Sequence, residues 1–129
     1  MRIGPIDHVS INLRNAEESY DFYGRILGLQ RLRTIDLGEF AITYFALPGG
    51  SRLELFDYHG RNADNPRTES EAGLRHIAFQ TDGVPEQEEL LRKEGVEITL
   101  PTTELPELGM RVLLCLDPNG VTVELCERL

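Results

Sequence analysis

The chain reads as an α+β protein built from two tandem βαβββ modules, and three observations carry that expectation. Each half opens on a strand-like run bearing a histidine, Asp7-His8-Val9-Ser10-Ile11-Asn12 and Arg75-His76-Ile77-Ala78-Phe79-Gln80. Each half closes on a strand with a glutamate between apolar neighbours, Leu53-Glu54-Leu55-Phe56 and Val123-Glu124-Leu125-Cys126. Between them the same punctuation recurs. Gly28-Leu29 and Gly95-Val96 each follow a helical run, and Pro48-Gly49-Gly50 and Pro118-Asn119-Gly120 each precede the glutamate strand. The offsets are 68 for the histidines (76 − 8), 67 for the glycines (95 − 28) and 70 for the glutamates (124 − 54). Landmarks kept in order at such constant spacing mark a duplicated unit.

The elements follow in turn. Residues 6–13 alternate, with Val9, Ile11 and Leu13 on one face and His8, Ser10 and Asn12 on the other. Asn15 is placed to cap a helix over 16–27, where Tyr20, Tyr23 and Leu27 share a side with Phe22 and Ile26 beside them. Strands are expected at 29–37, 40–47 and 51–58, joined by turns that contain glycine. The second module repeats the order: a strand at 74–81, a helix at 85–94, and strands near 96–100, 110–116 and 121–127. Residues 59–73 lack apolar periodicity and are rich in Asn, Asp, Glu, Arg and Pro, so they read as a solvated linker, or else a lid over a pocket.

At 129 residues the chain is expected to be a single domain, 1–129, with module 1 at 5–58, the linker at 59–73 and module 2 at 74–127. A hydrophobic share of 40% with 27% charged residues is that of a soluble globular protein. No apolar run approaches the ~20 residues that span a bilayer, so no membrane partner is expected. The N-terminal residues lack the apolar core of a secretory signal, which makes the cytoplasm the expected location. A formal charge of −9 argues against nucleic acid. Only Cys115 and Cys126 are present, and neither hairpin register sets them opposite one another, so both are expected to be buried free thiols.

Alternation decides where the four landmark side chains point. Glu54 lies with Arg52 and Phe56, away from Leu53 and Leu55; Glu124 lies with Thr122 and Cys126; His76 lies with Ala78 and Gln80. Each stands on the more polar face of its strand, and the aliphatic face is left to pack against a helix. A mixed sheet curled with that polar face inward, its helices outside, would form a cup. Two imidazoles and two carboxylates at its floor make a site for one divalent metal, because two carboxylates in one cup repel unless a cation or proton joins them. Hairpin parity adds neighbours. If Asp117-Pro118-Asn119-Gly120 turns the chain, Glu124 faces Leu113 or Cys115, and both registers put Arg111, Leu113 and Cys115 on its face. The same argument puts Thr43 and Phe45 on the face of Glu54. Arg111 is then the expected contact for an anionic substrate, and Phe45 and Phe56 are expected substrate contacts. His59, at the start of the linker, has no repeat partner and reads as a surface histidine.

These residues carry a family resemblance. His8-Val9-Ser10-Ile11, the helix with Ser19-Tyr20-Asp21-Phe22-Tyr23 ending at Leu27-Gly28-Leu29, Gly73-Leu74-Arg75-His76-Ile77-Ala78-Phe79, and Asp117-Pro118-Asn119-Gly120 before Val123-Glu124-Leu125 resemble the vicinal oxygen chelate superfamily across nearly the whole chain. The set His8, Glu54, His76 and Glu124 is similar to the metal ligands of glyoxalase I (lactoylglutathione lyase). The resemblance implies a lyase or isomerase that acts on a small substrate with vicinal oxygens through an enediolate. Nickel, cobalt, zinc or manganese would be the metal, and Glu124 the base. It also implies a homodimer, with the cup formed from both modules of one chain or from modules of two chains. Two positions depart from the glyoxalase I pattern. Asn12 stands where the family has an arginine for the glutathione carboxylate, and Tyr58 stands where it has an asparagine. Both belong to the expected substrate contacts, with weaker purchase on glutathione. Three rivals share the fold: an extradiol-type dioxygenase holding iron on two histidines and one carboxylate, a fosfomycin-type thiol transferase whose metal site also uses three protein ligands, and a metal-free binding protein like those of bleomycin resistance. Glu54 as a fourth ligand disfavours the first two, and four ligands without a tryptophan disfavour the third.

Overall fold

A computed structural model describes residues 1–62, 70 and 72–129 of the chain. Most of the linker expected at 59–73 lies outside the described residues. The chain divides into two compact units, Met1–Asp64 and Asn65–Leu129, and each is a βαβββ module.

In the first unit β1 (His8–Asn12) leads into helix α1 (Ala16–Tyr20), and β2 (Arg31–Asp36), β3 (Ala41–Ala46) and β4 (Arg52–Asp57) follow. The sheet order is β1-β4-β3-β2, with β1 parallel to β4 and the other pairs antiparallel. Asn15 caps α1 as expected, its side chain accepting from the Glu18 N–H at 3.0 Å. The helix then continues as a π-helical turn, Asp21–Ile26, where the sequence predicted regular α-helix. Phe22 and Tyr23 are buried there, and Thr43 on β3 donates its hydroxyl to the Tyr20 oxygen at 2.9 Å. Helix and sheet approach closely at one point, where a Cβ on Gly24 would lie 3.3 Å from Phe45 Cε1.

The second unit repeats this with β5 (Ile77–Gln80), α2 (Val84–Lys93), β6 (Ile98–Leu105), β7 (Met110–Leu116) and β8 (Thr122–Arg128), in sheet order β5-β8-β7-β6. β6 runs well past the end expected at residue 100. It is an edge strand paired only with β7, and its register shifts between Leu100 and Thr103, around Pro101. An edge position tolerates the missing N–H. A short 3-10 turn, Pro106–Leu108, then leads into β7.

These details explain the uneven offsets. The α1 N-cap Asn15 and the α2 N-cap Gly83 are 68 apart (83 − 15), yet the glycines that end the helices are 67 apart. The first module therefore holds one extra residue within its helix. At the helix ends Val96 N–H reaches Leu91 O, whereas Leu29 N–H reaches back one residue further, to Tyr23 O. The π turn absorbs the insertion without shifting either end. The later rise to 70 is the longer β6 with its 3-10 turn.

Each core lies on the face of its sheet opposite the glutamate, the face that alternation gave to Leu53 and Leu55 and to Val123 and Leu125. Phe45, Leu53 and Leu55 are fully buried in the first unit, and Val84, Leu113, Cys115 and Val123 in the second. Cys115 and Cys126 are buried free thiols, and burial pushes the Cys115 thiol up to about 11. No helix among the described residues is long and apolar enough to cross a membrane.

Candidate metal centre and active site

In the first unit the parallel pairing of β1 with β4 sets His8 beside Arg52 and Ser10 beside Glu54. The Nδ1 of His8 meets Asp7 Oδ2 at 2.8 Å, and Arg52 Nη2 donates to the same oxygen at 3.0 Å. His8 and then Arg52 hold the Asp7 carboxyl below its ordinary range. With Nδ1–H given to Asp7, the lone pair of His8 Nε2 faces Glu54 Oε2, 3.6 Å away. That distance is too long for a hydrogen bond. Ser10 Oγ donates to the same Oε2 at 2.9 Å.

In the second unit His76 lies just before β5, and its Nε2 is 3.0 Å from Glu124 Oε2. Its Nδ1 is buried without a hydrogen-bond partner among the described residues. Ala78 is the register neighbour of Glu124, in the place that Ser10 takes beside Glu54.

Each unit thus presents one imidazole nitrogen beside one carboxylate oxygen. Among the described residues no group of three or more His, Cys, Asp or Glu is close enough to hold a metal ion, and each unit by itself offers two donors. The chemistry of the donors fits a dication. The Glu54 side chain is 10% exposed and that of Glu124 15%, and neither meets a lysine or arginine among the described residues. A mostly buried carboxylate without a cationic partner is costly unless a bound cation or proton compensates it. Neutral imidazole and carboxylate suit borderline first-row dications.

The face around Glu54 is cationic and aromatic. Tyr44 is the register neighbour of Glu54 on β3, and its ring is flanked by Arg52 at 5.3 Å and Arg33 at 5.7 Å. Asn12 is paired with Phe56 at the far end of β1. Phe56 and Tyr58 both stack on Phe40, with centroids at 5.5 and 5.1 Å. The face around Glu124 carries Val112, Leu114 and Cys126 instead. His59 is exposed, its ring against the Gly38 carbonyl.

Two expectations are overturned by the strand register. Leu114, not Leu113 or Cys115, stands opposite Glu124, so Arg111, Leu113 and Cys115 lie on the other face. Arg111 spans Glu127 at 2.6 Å and Glu104 at 2.7 Å, and loses its basis as a substrate contact. Likewise Tyr44 stands opposite Glu54, and Thr43 and Phe45 point into the core. The cause is loop length. Asp117 N–H bonds Val121 O and Leu47 N–H bonds Ser51 O, so each hairpin closes on three residues, Pro118-Asn119-Gly120 and Pro48-Gly49-Gly50. The expected parity required an even loop. Gly120 (φ 81°) and Gly50 (φ 95°) end those loops in the left-handed region, the mark of a three-residue hairpin. Those glycines were the signal that would have revealed Tyr44. Asp7 and Ser10, as partners of His8 and Glu54, leave no trace in spacing alone.

Two modules with these pairs define a class, and the chain belongs to it. It is a member of the glyoxalase/bleomycin resistance protein/dioxygenase superfamily, whose sequence pattern matches residues 5–125. It is 30% identical to the uncharacterized protein YwkD of Bacillus subtilis (strain 168), over 99% of this chain and all of that one. It is 29% identical to a mitochondrial methylmalonyl-CoA epimerase of Dictyostelium discoideum, over 98% of this chain and 80% of the relative. The crystal structure of a glyoxalase family protein from Enterococcus faecalis superposes with a TM-score of 0.81 at 30% identity, covering 95% of this chain and 97% of that one. It is 25% identical to the lactoylglutathione lyase of Pseudomonas aeruginosa, over 94% of this chain and 81% of that one.

Proposed function

We propose that the chain is a metal-dependent lyase or isomerase of the glyoxalase I type, moving a proton next to a carbonyl of a small substrate with vicinal oxygens. The observation that carries this reading is the pair of repeat-equivalent His–Glu contacts, His8–Glu54 and His76–Glu124, whose carboxylates meet no lysine or arginine among the described residues. Those four residues would hold one divalent ion, nickel, cobalt, zinc or manganese. Such an ion supplies Lewis acidity toward the substrate's oxygens.

Glu124 is the base in this reading. Its carboxylate takes the proton from the carbon beside the carbonyl on Oε1 or Oε2 and returns it, and the apolar Val112, Leu114 and Cys126 around it exclude water. Asn12, Phe56 and Tyr58 orient the substrate, and Arg33 and Arg52 meet an anionic substituent on it. Asn12 and Tyr58 support a substrate other than glutathione. Epimerisation is therefore a second reading, favoured by the likeness to the Dictyostelium epimerase, and it needs the same proton abstraction. The iron dioxygenase, which needs Glu54 to turn away, is opposed by the Ser10 hydroxyl that holds that carboxylate. The same reading takes the protein as a cytoplasmic homodimer.

The test is hydrogen exchange. Protein loaded in turn with Ni²⁺, Co²⁺, Zn²⁺ and Mn²⁺ is incubated in D₂O with α-ketoaldehyde hemithioacetals and with 2-methylmalonyl thioesters. Metal-dependent deuterium uptake at the carbon beside the carbonyl, lost in Glu124→Gln, is the expected result. Oxygen uptake with catechols after anaerobic Fe²⁺ loading, and no exchange under any metal, would overturn it.

A further inference from the structure

The two His–Glu pairs are equivalent in backbone and unequal in support, and that inequality assigns them different duties. Around the first pair, both members are held from behind. Asp7 engages His8 Nδ1 at 2.8 Å and is itself tied by Arg52 at 3.0 Å. Ser10 donates to Glu54 Oε2 at 2.9 Å, on the oxygen that lies nearest His8 Nε2. Around the second pair neither hold is present among the described residues. Arg75 occupies the position of Asp7 (75 − 7 = 68), and Ala78 that of Ser10 (78 − 10 = 68). His76 Nδ1 is buried without a partner among the described residues, and a methyl group cannot donate to Glu124.

We propose that Ser10 and Asp7 are positioning residues that make His8–Glu54 the fixed half of the metal site, and that Ala78, which cannot donate as Ser10 does, leaves Glu124 with His76 as its contact and no backing hydrogen bond among the described residues, so that it can carry the proton. The inference rests on the reading of His8, Glu54, His76 and Glu124 as the metal ligands. A carboxylate held by a charge-assisted hydrogen bond keeps one orientation. That suits a permanent ligand and hinders a group that must swing between ligand and base. Removing the hold behind a ligand weakens metal binding, whereas adding a hold to the base slows the chemical step.

The experiment reads Co²⁺ in the full chain. Affinity is measured by competition with a chelator, the coordination environment by the visible absorption of bound Co²⁺, and folding by urea unfolding of the metal-free protein. Ser10→Ala is expected to weaken Co²⁺ binding about 10–100-fold and to alter the Co²⁺ spectrum. Ser10→Thr, which keeps the hydroxyl, is expected to restore both. Ala78→Ser, which brings a hydroxyl to Glu124, is expected to bind Co²⁺ at least as tightly and to lower kcat roughly tenfold at unchanged KM. Wild-type affinity and spectrum in Ser10→Ala, or an unchanged kcat in Ala78→Ser, would overturn the inference alone. Absence of Co²⁺ binding by the unaltered protein would overturn the reading of the site and this inference with it. If Ser10→Ala does not fold, Ala78→Ser decides.

Discussion

The two modules share a backbone plan down to their hairpin registers, yet their sheet faces carry opposite chemistry. Glu54 stands among Ser10, Tyr44 and Arg52; Glu124 stands among Ala78, Leu114 and Thr122. Duplication explains why a histidine and a glutamate recur at matched positions. In the proposed reading a symmetric site would have no reason to use one carboxylate as a ligand and the other as a base, and the departures from symmetry supply one. A polar, cationic face suits substrate charge and a fixed ligand, and an aliphatic face suits a base that works away from water.

The cores differ in the same way, and that difference should give the largest effect. Phe45 and Cys115 are equivalent (115 − 45 = 70), and both are fully buried. Phe45 fills the space under Gly24 and Tyr20. Phe45→Ala is expected to cost about 3–5 kcal/mol, against ~1 kcal/mol for Cys115→Ala, measured by urea unfolding. Equal losses would mean that the modules pack alike and that the contrast stops at the surface.

Arg111 and Arg33 sharpen the contrast between faces. Arg33→Ala is expected to raise KM for an anionic substrate about 5–10-fold, the loss of one charged contact, with stability nearly unchanged. Arg111→Ala should do the reverse: it releases Glu104 and Glu127, lowers stability slightly and leaves KM alone. A KM effect confined to Arg111→Ala would reverse the assignment of faces.

The smallest effect concerns how each helix is tied to its sheet. Tyr20 and Glu88 occupy equivalent helix positions (88 − 20 = 68). Tyr20 accepts from Thr43, and Glu88 accepts from the Thr102 N–H at 2.7 Å and pairs with Arg92. Thr102, followed by Arg92, pulls the Glu88 carboxyl from 4.5 down to about 2. Because the folded value is depressed, the stabilisation is fully present above about pH 4.5 and is lost as pH falls toward 2. In Glu88→Gln the stability of the second module should change less with pH across that window. Amide hydrogen exchange at Thr102 reads it directly, and an unchanged pH response would remove Glu88 as the acid-sensitive tie.

Much of this was legible before any fold was known. The repeat, the four His and Glu landmarks, the helix-ending glycines and the aliphatic core faces all follow from local rules. A strand has a period of two and a helix has a period near 3.6, so neighbours in sequence reveal shared faces within one element. What alternation cannot supply is parity between elements. Across a hairpin, one residue more or less in the loop exchanges the two faces of the partner strand. For that reason alternation alone sets Arg111 and Phe45 on the wrong face and does not reach Tyr44. The π turn of the first helix and the length of β6 are likewise visible as offsets of 67 and 70, but only the folded chain shows where the extra residues went. Sequence by itself determined which histidines and glutamates recur at matched positions and which face each shares within its own strand. Tertiary structure alone decided which side chains stand across the strands from them, and so which histidine and which glutamate are held, because those contacts depend on registers set by hydrogen bonds between distant segments.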